Sequence, residues 1–137
     1  MHQNKLMIDI CYCGRLQTYA DCCGVIHKDI TKAATAEDLM RSRYSAFVIA
    51  DGDYLMKSHH SSTRPLKEKK SIVRWAKSVK WVKLEVVYTT QGSSIDQEGT
   101  VCFNAFYLEN LQLQVIKEHS KFVKENGNWM YLDVIGG

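Results

Sequence analysis

Four of the five cysteines lie between positions 11 and 23, and this cluster constrains the chain more than any other feature. The first two form a C-x-C pair, eight residues follow, and the last two are adjacent. Four thiolates so close in sequence can surround one tetrahedral metal ion, and four cysteines are a common structural zinc set. We therefore predict a structural Zn²⁺ site with no coordination position open to a substrate. Its ligands are Cys11, Cys13, Cys22 and Cys23.

Disulfide bonds and thiol redox chemistry are the alternatives to metal binding. Residues 1–10 contain Lys5 and Asp9 and no long apolar run, so no secretory signal is expected, and no stretch predicts a membrane span. We therefore expect a cytoplasmic protein, in which clustered cysteines more often bind metal or carry out redox chemistry. Redox sites usually have C-x-x-C spacing, which is absent from the cluster, but this alternative stays open. The fifth cysteine, Cys102, is expected in the core.

Length and charge limit the organisation and the partners. At 137 residues the chain is long enough for one domain with a small appendage. We assign the cysteine knuckle and its linker to residues 1–30 and the domain to residues 31–137. The net charge of +3 is mild, so nucleic acid is an unlikely partner, although a basic surface keeps it as the third choice.

Helical patterns precede strand patterns along the chain. Thr35, followed by Asp38, resembles a helix N-cap, and further helices are predicted from Tyr54 to His59 and from Pro65 onward. From Lys80 the apolar period changes to two, which predicts strands at 80–90, 100–109, 111–125 and 129–134. The pair Asn126-Gly127 predicts a hairpin turn. This order predicts an α+β fold with helices on one face of an antiparallel sheet.

The third strand suggests a polar group within the domain. Its alternation places Ile116, Glu118, Ser120 and Phe122 on the inner face, and Lys117, His119 and Lys121 on the outer face. A buried carboxylate needs a partner or a raised pKa. We therefore expect a basic group within hydrogen-bonding reach of Glu118, and the candidates are Arg41, Arg43, Arg64 and His60. Such a group could belong to a functional site, or it could be an ion pair joining helix to sheet.

The residues also resemble a known family. The cysteine segment, C-Y-C-G-(x)7-C-C, resembles the SEC-C zinc-knuckle motif. The rest of the chain resembles the YchJ family at residues 35–47, 52–55, 60–65, 119–127 and 129–133. The most specific of these matches is L-M-R-S-R-Y-S-A-F at residues 39–47. The resemblance implies the cone-shaped fold of the nuclear-transport-factor-2-like superfamily, a curved antiparallel sheet with helices on its concave face. This chain departs from the family's frequent Trp-His-Pro at His59-His60-Ser61.

The resemblance implies a fold and a zinc site but no reaction. The first hypothesis is a protein-interaction module that docks another protein through the knuckle. The alternative is a small-ligand binder or enzyme that uses a polar pocket in the cone. The pocket candidates are His60, Arg64, Glu118, Ser120, Tyr44, Phe122 and Trp129. An open cavity with convergent polar groups favours the alternative, and a cone filled by side chains favours the first hypothesis.

Overall fold

The computed structural model describes residues 10–136, in which helices precede a four-stranded sheet. The helices are α1 (Cys23–Lys28), α2 (Ala36–Val48), α3 (Gly52–Lys57) and α4 (Lys69–Ser78). The strands are β1 (Lys80–Gln91), β2 (Glu98–Glu109), β3 (Gln112–Glu125) and β4 (Asn128–Gly136). The predicted α+β fold class is confirmed. No helix within residues 10–136 is long and apolar enough to cross a membrane.

Side-chain caps determine where the two central helices begin. The Thr35 hydroxyl accepts a hydrogen bond from the Asp38 backbone N–H at 3.0 Å, which starts α2 where the sequence predicts it. Asp51 caps α3 through the Tyr54 N–H at 3.0 Å, so α3 begins two residues before the predicted start. Pro65 precedes a short 3₁₀ turn, Leu66–Glu68, and α4 follows that turn instead of beginning at the proline.

The strands form an antiparallel meander in the order β1-β2-β3-β4. The predicted Asn126-Gly127 turn joins β3 to β4, with φ values of 53° and 82° that suit these two residues. Leu111 also has positive φ, at 65°, so it belongs to the turn before β3 and not to the strand. β3 therefore begins one residue later than predicted.

The core lies between the helices and one face of the sheet. Val101 and Phe103 of β2 and Phe122 of β3 are buried on this face, opposite Leu39 of α2. Cys102 lies between Val101 and Phe103, so its side chain points to the other face and is only half-buried. The expectation that Cys102 belongs to the core is wrong, because strand alternation places it outside.

The cysteine segment packs directly against α2. The four cysteine side chains belong to the same buried cluster as Leu39 and Leu84. His27 of α1 donates from Nε2 to the Ser42 carbonyl oxygen at 2.7 Å, and its Nδ1 accepts from the Tyr19 hydroxyl at 2.7 Å. The ring of His27 also stacks against Tyr54, with centroids 4.5 Å apart. The four cysteines and the domain residues therefore share one core.

Candidate functional site

The four clustered cysteines converge on one point in the fold. Their Sγ atoms all lie within 4.8 Å of one another, and each side chain is buried. Cys11 and Cys13 lie in a turn that Gly14 completes with a φ of 94°. The Gly14 N–H donates to the Cys11 carbonyl oxygen at 3.0 Å. The other two lie at the start of α1. The fold thus brings the predicted metal ligands together.

The chemistry of these thiols fits a dication. Hydrogen bonds from Cys13 and Cys23 lower the pKa of the Cys11 thiol. Burial, followed by the charges of Cys13 and Cys11, raises the pKa of the Cys22 thiol to about 12, and the hydrogen bond with Cys11 raises that of Cys23. An ionised thiol therefore disfavours ionisation of its neighbours, and a bound cation would offset the repulsion among four thiolates. Zn²⁺ meets this requirement, because it prefers four thiolates in a compact tetrahedral set.

A second feature is a partly open cavity of about 250 Å³ between the helices and the sheet. Its walls are mostly apolar, with Tyr44 and Phe47 on the helical side and Phe103, Ile116 and Phe122 on the sheet side. The groups that interrupt this apolar lining are Arg43, His59, Glu118 and Tyr131. A concave apolar site with a few convergent polar groups is the usual form of a small-molecule site.

Arg43 is a buried cation on the cavity wall. It projects from α2, and its Nη1 donates to the Leu55 carbonyl oxygen at 2.9 Å and to the Ser58 hydroxyl at 2.7 Å. Its guanidinium carbon lies 4.7 Å from the centroid of the Tyr131 ring. Burial lowers the pKa of the guanidinium to about 10, against the opposing effects of Tyr131, Tyr54 and Glu118. Arg43 therefore stays charged at neutral pH, and within residues 10–136 it makes no ion pair.

His59 and Tyr131 are held together by backbone pairing. The Tyr131 N–H donates to the Ser58 carbonyl oxygen at 2.9 Å, and the His60 N–H donates to the Tyr131 carbonyl oxygen at 2.8 Å. The His59 ring meets the Tyr131 ring edge-on, with centroids 4.9 Å apart. Burial and then the charge of Arg43 lower the pKa of His59 to about 4, and burial raises that of Tyr131 to about 12. Both rings are therefore neutral at physiological pH.

Glu118 faces the helices, but its predicted basic partner is absent. Its Oε2 accepts a hydrogen bond from the Ser120 hydroxyl at 3.0 Å, and among the residues that the structure describes it makes no ion pair. The expected donors are used elsewhere. Arg41 bonds Glu37 at 2.9 Å, and Arg64 donates to the His59 carbonyl oxygen at 3.0 Å. Glu118 is only half-buried on the cavity wall, so contact with solvent removes the need for a counterion.

The structure brings together part of the predicted pocket. Tyr44, Phe122 and Glu118 line the cavity, and the buried Ser120 lies directly behind Glu118. The other candidates are not part of its lining. Trp129 is buried and donates to the Ala34 carbonyl oxygen at 3.2 Å.

His60 and Arg64 also lie outside the cavity lining. His60 Nε2 is 3.9 Å from a carboxylate oxygen of Glu125, on the far side of the segment that carries His59. The sequence reasoning missed His59 as a lining residue and considered Arg43 only as a partner for Glu118. A signal for Arg43 exists, because Met40, Arg43 and Phe47 share one face of α2.

Comparisons with known proteins assign the family. Residues 35–134 match the family model of the YchJ middle NTF2-like domain. A UPF0225 protein of Vibrio parahaemolyticus is 42% identical over 127 residues, which cover 93% of this chain and 75% of that protein. A UPF0225 protein of Streptomyces coelicolor is 39% identical over 123 residues, which cover 90% of this chain and 92% of that protein.

Two solved structures resemble the whole architecture. The solution structure of a SEC-C motif containing protein from Rhodopseudomonas palustris has a TM-score of 0.83 and 30% identity, and the match covers 93% of this chain and 98% of that one. The crystal structure of a SEC-C motif containing protein from Psychrobacter arcticus has a TM-score of 0.77 and 32% identity, and the match covers 97% and 85%. The chain therefore belongs to the YchJ-like UPF0225 family, with a nuclear-transport-factor-2-like domain.

Proposed function

We propose that this protein binds a small organic molecule in the cavity between α2, α3 and the sheet, and that a structural zinc ion at the four cysteines stabilises the cavity's helical wall. The observation that carries the proposal is the cavity itself, about 250 Å³ of partly open space between the helices and the sheet. Packed cores contain few voids larger than a water molecule. A cone filled by side chains would have favoured an interaction module, whereas a space of this size favours a small-ligand binder.

The dimensions of the cavity indicate a ligand of modest size. A closed apolar cavity of roughly 150 Å³ is sufficient for benzene, and drug-sized ligands occupy roughly 300–1,000 Å³. A volume of about 250 Å³ therefore suits a molecule with a single ring or a short chain. Its mostly apolar lining supplies affinity, and the polar groups Arg43, His59 and Glu118 supply orientation.

The proposed zinc site supports the same helix that forms the cavity wall. Cys11 Sγ lies 3.8 Å from the hydroxyl of Ser45 on α2, and Arg41 of α2 donates to the Cys13 carbonyl oxygen at 2.8 Å. Because Arg43 and Tyr44 belong to the same helix, fixing α2 against the zinc site preorganises one wall of the cavity. We propose a reducing cytoplasm as the location, where the thiols remain available for metal.

Native mass spectrometry of the purified protein tests this proposal, with a matched pair of cavity and surface variants. Ile116 lines the cavity and Val115 lies on the opposite face of the same strand. We expect the wild-type protein to carry zinc and a co-purified small molecule. Ile116→Trp should remove the small molecule and retain the zinc, whereas Val115→Trp should retain both. Equal ligand occupancy in the two variants would place the ligand elsewhere and contradict the proposal.

Protein docking through the knuckle is the second candidate, and exposed apolar side chains favour it. Both exposed side chains belong to the cysteine segment, where Tyr12 is 47% exposed and Leu16 is 87% exposed. Site-specific photo-crosslinking tests this role in cells. A crosslinker at position 16 should capture one defined protein, while a crosslinker at Leu111, which is 95% exposed on a distant turn, should not. Identical products at both positions would indicate nonspecific contact.

A further inference from the structure

We propose that the cavity selects a small monocarboxylic acid with an apolar body, and that the ligand carboxylate pairs with Arg43. This inference rests on the proposed function, because it requires that the cavity bind a small molecule. It adds the chemical class of the ligand and the residue that recognises it. Neither follows from the fold, since nuclear-transport-factor-2-like domains serve unrelated functions.

Arg43 has hydrogen-bond donors that no protein group within residues 10–136 uses. Both of its hydrogen bonds, to the Leu55 carbonyl oxygen and the Ser58 hydroxyl, come from Nη1. Within residues 10–136 the Nε and Nη2 atoms of Arg43 have no hydrogen-bond partner. Every fully buried side-chain nitrogen or oxygen in this range does have a partner. The unused nitrogens are therefore not fully buried, and Arg43 is a lining residue of the cavity. A planar guanidinium with free donors matches a planar carboxylate.

Within the described residues Arg43 forms no ion pair, and its position is fixed. Arg43 is only 9% exposed, and its guanidinium is held between the α3 end and the face of Tyr131. A buried charge is costly unless it is paired, and the nearest carboxylate on the wall, Glu118, forms no ion pair with it. An anionic ligand at the unused donors would pair with this charge.

The charges on the cavity wall favour a ligand with a single negative charge. Glu118 faces the same cavity. Its charge opposes the lowering of the Arg43 pKa by burial and adds to the rise of the Tyr131 pKa that burial causes. Arg43 attracts an added negative charge and Glu118 repels it. Pairing with Arg43 offsets this repulsion for one carboxylate, whereas a second negative charge finds no further cation among the described residues of the wall. The remaining lining is apolar or neutral, since His59 and Tyr131 carry no charge at physiological pH. These conditions favour a monocarboxylate over a phosphate dianion or a dicarboxylate.

Three probes of nearly identical shape test the inference on the wild-type protein. They are 3-phenylpropanoate, its neutral amide 3-phenylpropanamide, and the cation 3-phenylpropylamine, each titrated calorimetrically into the zinc-loaded protein. A hydrogen bond to a charged group contributes about 1.5–3 kcal/mol, so the carboxylate should bind at least about tenfold more tightly than the amide. The amine should bind most weakly. An amide that binds as tightly as the carboxylate, or an undetectable carboxylate at millimolar concentration, overturns the inference.

Variants connect the selectivity to Arg43. Arg43→Gln should remove the carboxylate preference and leave amide binding in place, and Arg43→Lys should keep a reduced preference. Arg74→Gln changes the charge equally at an exposed position and should leave the preference intact. Glu118→Gln should strengthen carboxylate binding several-fold, because it removes a repulsive charge. This variant and the wild-type ranking decide the question even if Arg43→Gln fails to fold. An undiminished preference in folded Arg43→Gln contradicts the assignment.

Failure of this inference is distinguishable from failure of the proposed function. Suppose that a neutral or cationic molecule is extracted from the wild-type protein and is absent from Ile116→Trp. This result would support ligand binding in the cavity and refute the preference for a carboxylate. Probe binding that Ile116→Trp leaves unchanged would refute the cavity as the site.

Discussion

Acidification should destabilise the protein through His59. The residue is 9% exposed, and burial, with Arg43 and Arg64 nearby, lowers its pKa from 6.5 to about 4. Between these two values the unfolded chain binds more protons than the folded protein, so stability is lost as the pH falls. At about 1.36 kcal/mol per pKa unit, the loss between pH 7 and pH 5 is about 2 kcal/mol, and it approaches about 3 kcal/mol below pH 4.

Urea denaturation of the zinc-loaded protein at several pH values measures this loss. His59→Gln is the matched control, because glutamine does not titrate and the lost contact with Tyr131 adds an offset that is independent of pH. Comparing the two proteins also cancels effects of acid on the thiol cluster. The wild-type protein should lose about 2 kcal/mol more than the variant between pH 7 and pH 5. Parallel pH profiles for the two proteins would refute the reasoning.

Three further predictions concern stability. Treatment with a metal chelator should lower hydrogen-exchange protection throughout α2, because the cysteines and α2 belong to one buried cluster. A loss of protection confined to the cysteine segment would show that this segment is independent of α2. Thr35→Ala should cost about 1 kcal/mol in chemical denaturation by removing the cap on Asp38, and Thr35→Ser should cost little. Gly52→Ala should lower the free energy of unfolding by about 1–3 kcal/mol, because a Cβ at this position would lie 2.5 Å from Val73 Cγ2. In a double-mutant cycle, adding Val73→Ala should relieve most of that loss.

Local patterns predicted the elements because local physics determines them. The Thr35 cap, the change to a period of two at Lys80, and the Asn126-Gly127 turn each act within a few residues, and each is present in the structure. The same reasoning placed the start of α4 at Pro65, where the structure has a 3₁₀ turn first. It also assigned Cys102 to the core from its apolar neighbours, although alternation along β2 directs it outward.

The convergence of the four cysteines was easier to predict than the cavity. Four cysteines close in sequence need only one turn and one helix start to converge, so their spacing carries the information. The cavity depends on packing between residues far apart in sequence. Alternation identified the face of Glu118, but no local rule indicated that Arg43 would bond to the end of α3 instead. Which of the adjacent His59 and His60 faces inward depends on their pairing with Tyr131, which is also nonlocal.

An NMR titration with 3-phenylpropanoate tests the central claim, ligand binding in the cavity, most directly. In ¹⁵N-labelled, zinc-loaded protein we predict shift changes at the backbone amides of Phe103, Ala105 and His59 and at the Arg43 side-chain Nε–H, all on residues that line the cavity. The amide of Val115, on the outer face of β3, should change little. Changes confined to the outer face or to the cysteine segment, with the cavity residues unaffected, would contradict the account.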